Sequence, residues 1–253
     1  MKKIISTYSP IAAAVAGLFM LTACSKSADT TQTQTAKPET AAEQTLLVDE
    51  SRLSVYHGVD LTSDLSHLSD NQHKMLSLLI DASKIMDDLF WKQAFFDDKD
   101  VFLSSIRDEK VRHFAEINYG PWDRLNGDTP FISGYDDKAL GAEFYPHDME
   151  KEEFATADFA DKQGLYSIVK RDEAGNLYSV PYSEAYKSEL MKASDLLKKA
   201  SELAEDESFK QYLQLRSEAL LSNDYLASDM AWMDMKTNPV ELVIGPIESY
   251  EDQ

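Results

Sequence analysis

The first half of the chain places its apolar side chains with a helical period. Between residues 70 and 95 they recur every three or four positions, the spacing of one helix face. Ser69 and Gln72 stand in the order of a capping box at the start of this stretch, so we predict a helix over about 70–95. The next apolar stripe predicts a second helix over about 99–117. The leucines of residues 61–68 predict a short helix or turn.

Helical periodicity is lost between residues 118 and 148. Glycines recur there every seven residues, but the residues between them do not match, so we predict turns of one long ordered loop rather than a repeat. A loop of this length is usually functional or held by buried side chains. The aromatic side chains available to hold it are Trp122, Phe131, Tyr135, Phe144 and Tyr145.

The second half of the chain predicts more helix and a small β element. We expect a short helix over about 150–161, a hairpin from the runs 165–170 and 177–182, and helices over about 183–205, 207–221 and 225–235. The methionines and Trp232 of the last helix predict a packing stripe. A final strand is predicted at 240–244. The fold class is therefore α+β and mostly helical, a helical lobe with a small β element.

The end of the chain favours an extended backbone. A β-branched run leads into Pro246, and proline fixes φ and lacks an N–H, which disfavours a helix here. Alternate side chains of an extended segment share a face. We therefore predict that Glu248 and Tyr250 face the same open groove, while Ser249 and Glu251 point away from it.

The first residues have the layout of a secretory signal. Two lysines precede an apolar run at 11–20 that is too short to cross a membrane, and LTAC follows, which resembles a bacterial lipobox. We predict a lipoprotein signal peptide at 1–23 and a lipidated Cys24, the alternative being a free thiol. Ser25 favours attachment to the outer membrane, facing the periplasm. Residues 24–45 are polar and contain no aromatic side chain, which predicts a disordered tether.

Charge and cysteine content exclude several classes of partner and of stabilisation. The formal net charge is −20, with 45 acidic residues against 25 basic ones. A surface of this sign repels nucleic acid, so we expect no nucleic-acid partner. Because the chain has one cysteine, it cannot form an intrachain disulfide, and its stability must come from the core.

The histidines do not have the spacing of a hydrolytic zinc site. Such sites place two histidines one helical turn apart with a glutamate between them as general base. No two of the five histidines are four residues apart, and the chain contains no GxSxG motif, P-loop or dinucleotide fingerprint. We therefore expect no metal ligand set and no catalytic set that is complete by itself. The histidines are His57, His67, His73, His113 and His147.

Five stretches together resemble a known family. They are NYGPWDRL (118–125), PFISGY (130–135), GAEFYPHDM (141–149), SDMAWMDMK (228–236) and the ending VIGPIESYED (243–252). In this order they resemble the dipeptidyl peptidase III family of zinc exopeptidases, and its bacterial lipoprotein-type members in particular. The resemblance implies that residues 46–253 form the N-terminal, substrate-side part of a two-lobed peptidase.

The resemblance also implies an activity. In this family, zinc-dependent hydrolysis releases dipeptides from the N-terminus of oligopeptides. By resemblance, Glu248 is the substrate-binding residue that holds the N-terminal ammonium of the peptide, and Tyr250 is the catalytic residue that donates a hydrogen bond toward the scissile carbonyl. Oligopeptides are then the expected partners, together with the membrane that holds the lipid.

The zinc signature of the family lies downstream of VIGPIESYED, which is where this chain ends. Zinc is thus the cofactor of the intact family, but we expect none bound to this chain and no activity from it alone. A hypothesis of a different class is a non-catalytic acidic lipoprotein that binds peptides or a protein partner.

Residues 118–125 have two interpretations. They could be a loop that lines the cleft and shapes the peptide site. They could instead be a turn in which Trp122 packs in the core while Asp123 and Arg124 pair with each other.

Overall fold

The structure, a computed structural model, describes residues 44–246 and Glu251. Its longest helix, α1 (Asp70–Ala94), begins at the predicted capping box: Gln72 N–H donates to Ser69 Oγ at 3.2 Å, and Ser69 N–H donates to Gln72 Oε1 at 2.9 Å. The prediction for this helix is confirmed. Its buried face includes Met75, Leu79 and Leu89, which lie on the predicted stripe.

Three further helices pack one after another, starting from α1. Helix α6 (Lys187–Leu203) lies against α1, α7 (Glu207–Ser222) lies against α6, and α8 (Leu226–Asp234) lies against α7. The interface is filled by leucines and aromatic side chains that are almost entirely inaccessible to solvent. They include Leu190, Leu197, Tyr212, Leu213 and Leu220.

The helices predicted over 183–205 and 207–221 are separated at Asp206, as expected. The Asp206 side chain caps α7 by accepting the N–H of Phe209 at 2.9 Å. The first of them is divided. A short helix, α5 (Tyr182–Ala185), ends at Tyr186, which leaves the helical backbone before α6 begins.

Helix α8 contradicts the predicted packing stripe. Met230, Trp232 and Met233 are exposed, with 61% of Met233 accessible, whereas Met235, just beyond the helix, is buried. Within α8 the buried side chain is Ser228. Helix α8 therefore buries the small side chain of Ser228 and exposes its large apolar side chains. Periodicity alone does not show which side of a helix is buried.

The predicted single helix over 99–117 is wrong, because the chain forms two. Helix α2 (Lys99–Ser105) ends at Ile106, and α3 (Glu109–Asn118) begins after Asp108, whose carboxylate accepts the N–H groups of Lys110 and Val111 at 2.8 and 3.1 Å. The Asp108 side chain caps the N-terminus of α3 and so marks a helix start. The apolar stripe continues across this position and therefore did not indicate the break.

A second core, rich in aromatic side chains, lies beneath these two helices. Its buried members include Trp91, Phe95, Phe102, Phe114, Trp122 and Phe131. The N-terminal described segment lies beside it, where Leu47 N–H donates to the carbonyl of Phe131 at 2.8 Å.

The long loop after α3 follows the prediction. Gly120, Gly127, Gly134 and Gly141 all have positive φ, as turns of this kind require. A two-residue ladder joins β1 (Trp122–Asp123) to β2 (Thr129–Pro130). Among the proposed anchoring residues, Trp122, Phe131 and Phe144 are buried, and Tyr135 and Tyr145 are partly buried.

The hairpin is confirmed, and it is antiparallel. Strand β3 (Ser167–Arg171) pairs with β4 (Leu177–Pro181), with Ser167 opposite Pro181 and Arg171 opposite Leu177. The short helix before it, α4 (Lys151–Thr156), ends earlier than the predicted 161. Residues 61–68 form a turn rather than a helix, and Leu61 is fully exposed.

The strand predicted at 240–244 is wrong, because no neighbouring strand pairs with it among the described residues. The burial of this segment still alternates: Ile244 and Pro246 are buried, while Glu241 and Val243 are exposed. The segment therefore lies on the core formed by α6 and α7 and not in a sheet.

The fold class, α+β and mostly helical with a small β element, is as predicted. In the described part of the chain no helix is long and apolar enough to span a bilayer.

Candidate functional site

The structure does not describe any of the three residues predicted to form the site. Cys24, Glu248 and Tyr250 lie outside the described residues, so their orientations and roles remain predictions. The residues flanking 247–250 are described: Pro246 is buried on one side, and Glu251 is buried on the other.

Glu251 is a buried acid between two cations. Its side chain is 3% exposed, and its carboxylate oxygens contact the guanidinium of Arg124 and the ammonium of Lys138. A buried carboxylate without such partners would be strongly unfavourable. The ion pairs connect the end of the chain to two separate turns of the loop at 118–142.

Arg124 is held by the loop that carries it. Its Nε donates to the carbonyl of Asn118 at 2.8 Å, and its guanidinium carbon lies 5.3 Å from the ring centre of Phe90 and 5.7 Å from that of Tyr119. Tyr119 ends α3 in the left-handed conformation, with φ of 54°. After this turn, Arg124 lies over Phe90 of α1.

Asp123 does not pair with Arg124, so that part of the interpretation of residues 118–125 is wrong. Asp123 is fully buried, and Arg52 spans its carboxylate, with Nε–Oδ2 and Nη2–Oδ1 distances of 2.5 and 3.0 Å. The hydrogen bond to Asp123 raises the pKa of Arg52. The same carboxylate accepts the N–H of Leu125 at 3.1 Å, which caps the turn at Arg124–Asn126.

Asn118 completes this polar network. Its Oδ1 accepts the N–H of Arg124 and the hydroxyl of Tyr56, both at 3.0 Å, and its Nδ2 donates to the carbonyl of Phe114 at 2.8 Å. The segment at 50–56, the loop after α3 and Glu251 are thus joined by continuous hydrogen bonds and ion pairs.

A cavity of about 690 Å³ lies beside this network. Trp122 and Lys138 line it. Trp122 also packs in the aromatic core, as the second interpretation of residues 118–125 expected. Trp122 Nε1 donates to the carbonyl of Asp136 at 2.9 Å. The other aromatic and acidic side chains of the lining are Phe96, Asp97, Tyr135, Asp136, Asp137, Glu143 and His147.

The side chains that line the cavity are mainly aromatic and acidic. Burial, with a smaller contribution from Asp97, raises the pKa of Tyr135, so its phenol stays protonated at neutral pH. Lys138 borders both this cavity and a smaller one of about 290 Å³ that Glu251 lines. Acidic and aromatic side chains on a concave surface suit a ligand that carries positive charge on an apolar body.

Zinc does not fit the described residues. They contain no group of three or more histidine, cysteine, aspartate or glutamate side chains placed to hold a metal ion. His147 pairs with Glu143 at 2.8 Å, and His113 lies 3.5 Å from Glu116. Two ligands of this kind fall short of the three or four that a protein zinc site supplies.

Two residues of the network, Arg52 and Lys138, were not anticipated from the sequence. Their partners lie far away along the chain: Arg52 and Asp123 are 71 positions apart, and Lys138 and Glu251 are 113 positions apart. Asn118, Asp123 and Arg124 lie within the NYGPWDRL stretch and Glu251 lies within VIGPIESYED, but their partners in the network could not be read from the sequence.

Two solved structures share this architecture. The structure of DPP III from Caldithrix abyssi matches with a TM-score of 0.75 and 39% identity, over 80% of this chain and 40% of that chain. Dipeptidyl-peptidase III from Corallococcus sp. strain EGB matches with a TM-score of 0.69 and 32% identity, over 74% of this chain and 37% of that chain. The described part of the chain therefore has the fold of the matching part of these peptidases. More specifically, both matches support the dipeptidyl peptidase III family, and the chain spans about two fifths of the length of these two relatives.

Part of a plant protein is also similar to this chain. The chain is 32% identical over 265 residues to Nudix hydrolase 3 from Arabidopsis thaliana, a match that covers 81% of this chain and 34% of that protein. Because it involves only a third of that protein, the activity in its name is not transferred to this chain. No protein-family model matches the chain.

Proposed function

We propose that this chain provides the peptide-binding part of a zinc-dependent exopeptidase that releases dipeptides from the N-terminus of oligopeptides. The observation that carries the proposal is the similarity to the Caldithrix abyssi enzyme, 39% identical with a TM-score of 0.75 over 80% of this chain. The cavity of about 690 Å³, which Trp122 and several acidic side chains line, supports it, because a peptide with a free N-terminus brings a cation to be recognised.

The proposed roles of Glu248 and Tyr250 rest on the family resemblance and have a simple physical basis. A carboxylate forms a charge-assisted hydrogen bond with the terminal ammonium that distinguishes a substrate of an exopeptidase. A phenol at the scissile carbonyl donates a hydrogen bond to the oxygen on which negative charge develops. Glu248 would thus provide recognition, and Tyr250 would act mainly in the transition state.

No zinc-dependent step is assigned to this chain. The family uses zinc, yet the described residues offer no ligand set for it, and the sequence lacks the paired histidines of a hydrolytic site. We propose that the chain alone binds peptides without hydrolysing them. The stand-alone, non-catalytic lipoprotein of the alternative hypothesis would give the same binding result.

One set of measurements tests these proposals on the purified chain. Fluorescence anisotropy with a tetra-alanine peptide labelled at its C-terminus should show tighter binding than with the N-acetylated peptide, and equal affinities would contradict recognition of the terminal ammonium. Elemental analysis should find no stoichiometric zinc, and a dipeptidyl-arylamide assay should find no release of dipeptides.

Adding the part of the Caldithrix abyssi enzyme that this chain does not match should produce release of dipeptides. Binding without any such complementation would favour the non-catalytic alternative.

The proposed location of the protein is the periplasmic face of the outer membrane. Acylation of Cys24 would attach the chain, and residues 24–45 would act as the tether. The large negative charge would keep the folded part away from anionic headgroups.

A further inference from the structure

Helix α8 carries an exposed apolar stripe. Leu226, Met230 and Met233 are each at least half exposed, whereas Ser228 is buried. At about 100° of rotation per residue, the three apolar side chains lie within about 60° of one another and roughly opposite Ser228. Residues three or four positions apart are neighbours on a helix surface, so these side chains form one continuous stripe.

The described part of the chain leaves this stripe uncovered. Helix α7 packs against α8, and the three side chains remain exposed. The predicted tether at 24–45 contains no large apolar side chain that could be buried there. A run of apolar residues with helical spacing is typical of a face that packs against another element. A continuous apolar face that stays exposed therefore indicates an interaction surface.

Acidic side chains border the stripe on both sides. Around the helix, Asp229 and Asp234 each lie about 40° from the nearest apolar side chain. A second copy docked through the same stripe would bring four carboxylates together, and the formal net charge of −20 would add to the repulsion. An anionic bilayer would be repelled for the same reason. The charges favour a partner with an apolar surface and basic side chains around it.

The solved relatives indicate which partner this is. The chain matches 40% of the Caldithrix abyssi enzyme and 37% of the Corallococcus one, so more than half of each enzyme lies outside the match. Packing within one folded chain buries apolar faces. An apolar face that the matched part leaves exposed is therefore suited to be covered by the unmatched part.

We propose that the stripe formed by Leu226, Met230 and Met233 is the docking surface for a polypeptide with the fold of the unmatched part of these peptidases. That partner places an apolar surface on the stripe and basic side chains beside Asp229 and Asp234. The identity of the partner rests on the function proposed above, in which this chain provides the peptide-binding part of a peptidase. The surface itself does not depend on peptide recognition.

Co-purification of the full chain with the tagged, unmatched part of the Caldithrix abyssi enzyme, produced in the same cells, tests the proposal. The double variant Met230→Gln/Met233→Gln keeps the length and helix propensity of the side chains but makes the stripe polar. The amount of chain recovered should fall at least about tenfold. No recovery of the wild-type chain, or equal recovery of the double variant, would overturn the proposal.

The matched control is Met191→Gln on α6. Met191 is 55% exposed, against 52% for Met230, but its neighbours one helical turn away are polar. Recovery of this variant should equal that of the wild type. Thermal unfolding of each chain alone should give the same midpoint within about 2 °C, because the substituted side chains are exposed. A lower midpoint for the double variant alone would mean that the chain itself covers the stripe, which would also overturn the proposal.

Two measurements on the chain alone examine the other occupants, both in the Cys24→Ala background, which excludes attachment by lipid. Sedimentation velocity should find a monomer, and flotation with phosphatidylcholine vesicles should find no binding. A dimer, or vesicle binding, that Met230→Gln/Met233→Gln abolishes would assign the stripe to a second copy or to a lipid surface and overturn the proposal.

The docking and the proposed peptide recognition fail separately. If the complex forms but the chain shows no preference for a free over an acetylated tetra-alanine peptide, the proposed recognition fails and the docking stands. If the preference is present but no complex forms, the docking fails and the recognition stands.

Discussion

The guanidinium of Arg216, on α7, contacts the carboxylate of Asp229, on α8, with 2.5 Å between Nη2 and Oδ1. The side chain of Arg216 is 3% exposed, whereas that of Asp229 is 48% exposed. The rings of Tyr212 and Tyr225 lie 5.4 and 5.2 Å from the guanidinium carbon. A nearly buried arginine thus connects the two helices through an acid that water also reaches.

We predict that Asp229→Ala destabilises the fold by about 1–3 kcal/mol. Breaking a fully buried pair costs about 3–5 kcal/mol, but water can partly replace a half-exposed aspartate, which lowers the cost. Urea denaturation measures the change. The control is Asp195→Ala, which breaks the exposed pair with Lys199 and should cost less than about 0.5 kcal/mol. Equal stability of the two variants would contradict the prediction.

The second prediction concerns acid and Asp206. Hydrogen bonds from the Ser208 hydroxyl, the Phe209 N–H and the Thr237 hydroxyl lower the pKa of Asp206 to about 2 from its ordinary 3.8. Because the pKa of the folded state is the lower one, the contribution of Asp206 to stability is complete above about pH 4 and is lost as the pH falls toward about 2. Asp206→Asn keeps an acceptor but cannot titrate, so its stability should fall less steeply in this range.

Urea midpoints of the wild type and Asp206→Asn, measured at about pH 6 and about pH 3, test this. Ser208→Ala removes the donor with the largest effect and should give an intermediate acid response. If wild type and Asp206→Asn lose stability in parallel, Asp206 does not contribute to the acid dependence.

The third prediction separates backbone strain from steric conflict at two glycines. Gly127 and Gly141 both have positive φ, 65° and 75°. A Cβ at Gly127 would meet nothing within 4 Å, whereas one at Gly141 would lie 2.5 Å from Cδ2 of Tyr145. Gly127→Ala should therefore cost about 1–2 kcal/mol from the left-handed conformation alone.

Gly141→Ala should cost more, by about a further 1–3 kcal/mol, because Tyr145 must move as well. Thermal unfolding of the two variants under identical conditions gives the comparison. A Gly127→Ala variant that is as unstable as Gly141→Ala would show that contact with Tyr145 adds nothing.

Several features with local causes were predictable from the sequence. The start of α1 depends on Ser69 and Gln72, three residues apart, and the β3–β4 hairpin depends on a short loop around Gly175. The break before α7 depends on Asp206 and the backbone N–H groups that follow it. In each case the residues that determine the structure lie within a few positions of one another.

Features that depend on distant partners were not predictable. Residues 240–244 have the composition of a strand, but a strand also needs a neighbour, and the packing of α6 and α7 provides a surface instead. Met230 and Met233 have helical spacing, yet which side of α8 faces α7 depends on where α7 lies. The candidate site shows the same limit, since Glu251 and Lys138, which contact each other, are 113 positions apart in the sequence.

The last prediction concerns Cys24, which lies outside the described residues. If the signal at 1–23 is removed and Cys24 is acylated, several acyl chains on one residue give stable membrane attachment, whereas a single chain would bind only marginally. Cys24→Ala should therefore move the protein from the membrane fraction to the soluble fraction of the cell envelope. Ser27→Ala leaves the cysteine in place and should remain with the membrane. Mass spectrometry of the wild-type N-terminus should find the acylated Cys24. A Cys24→Ala protein that still sediments with membranes would contradict lipid attachment at this residue.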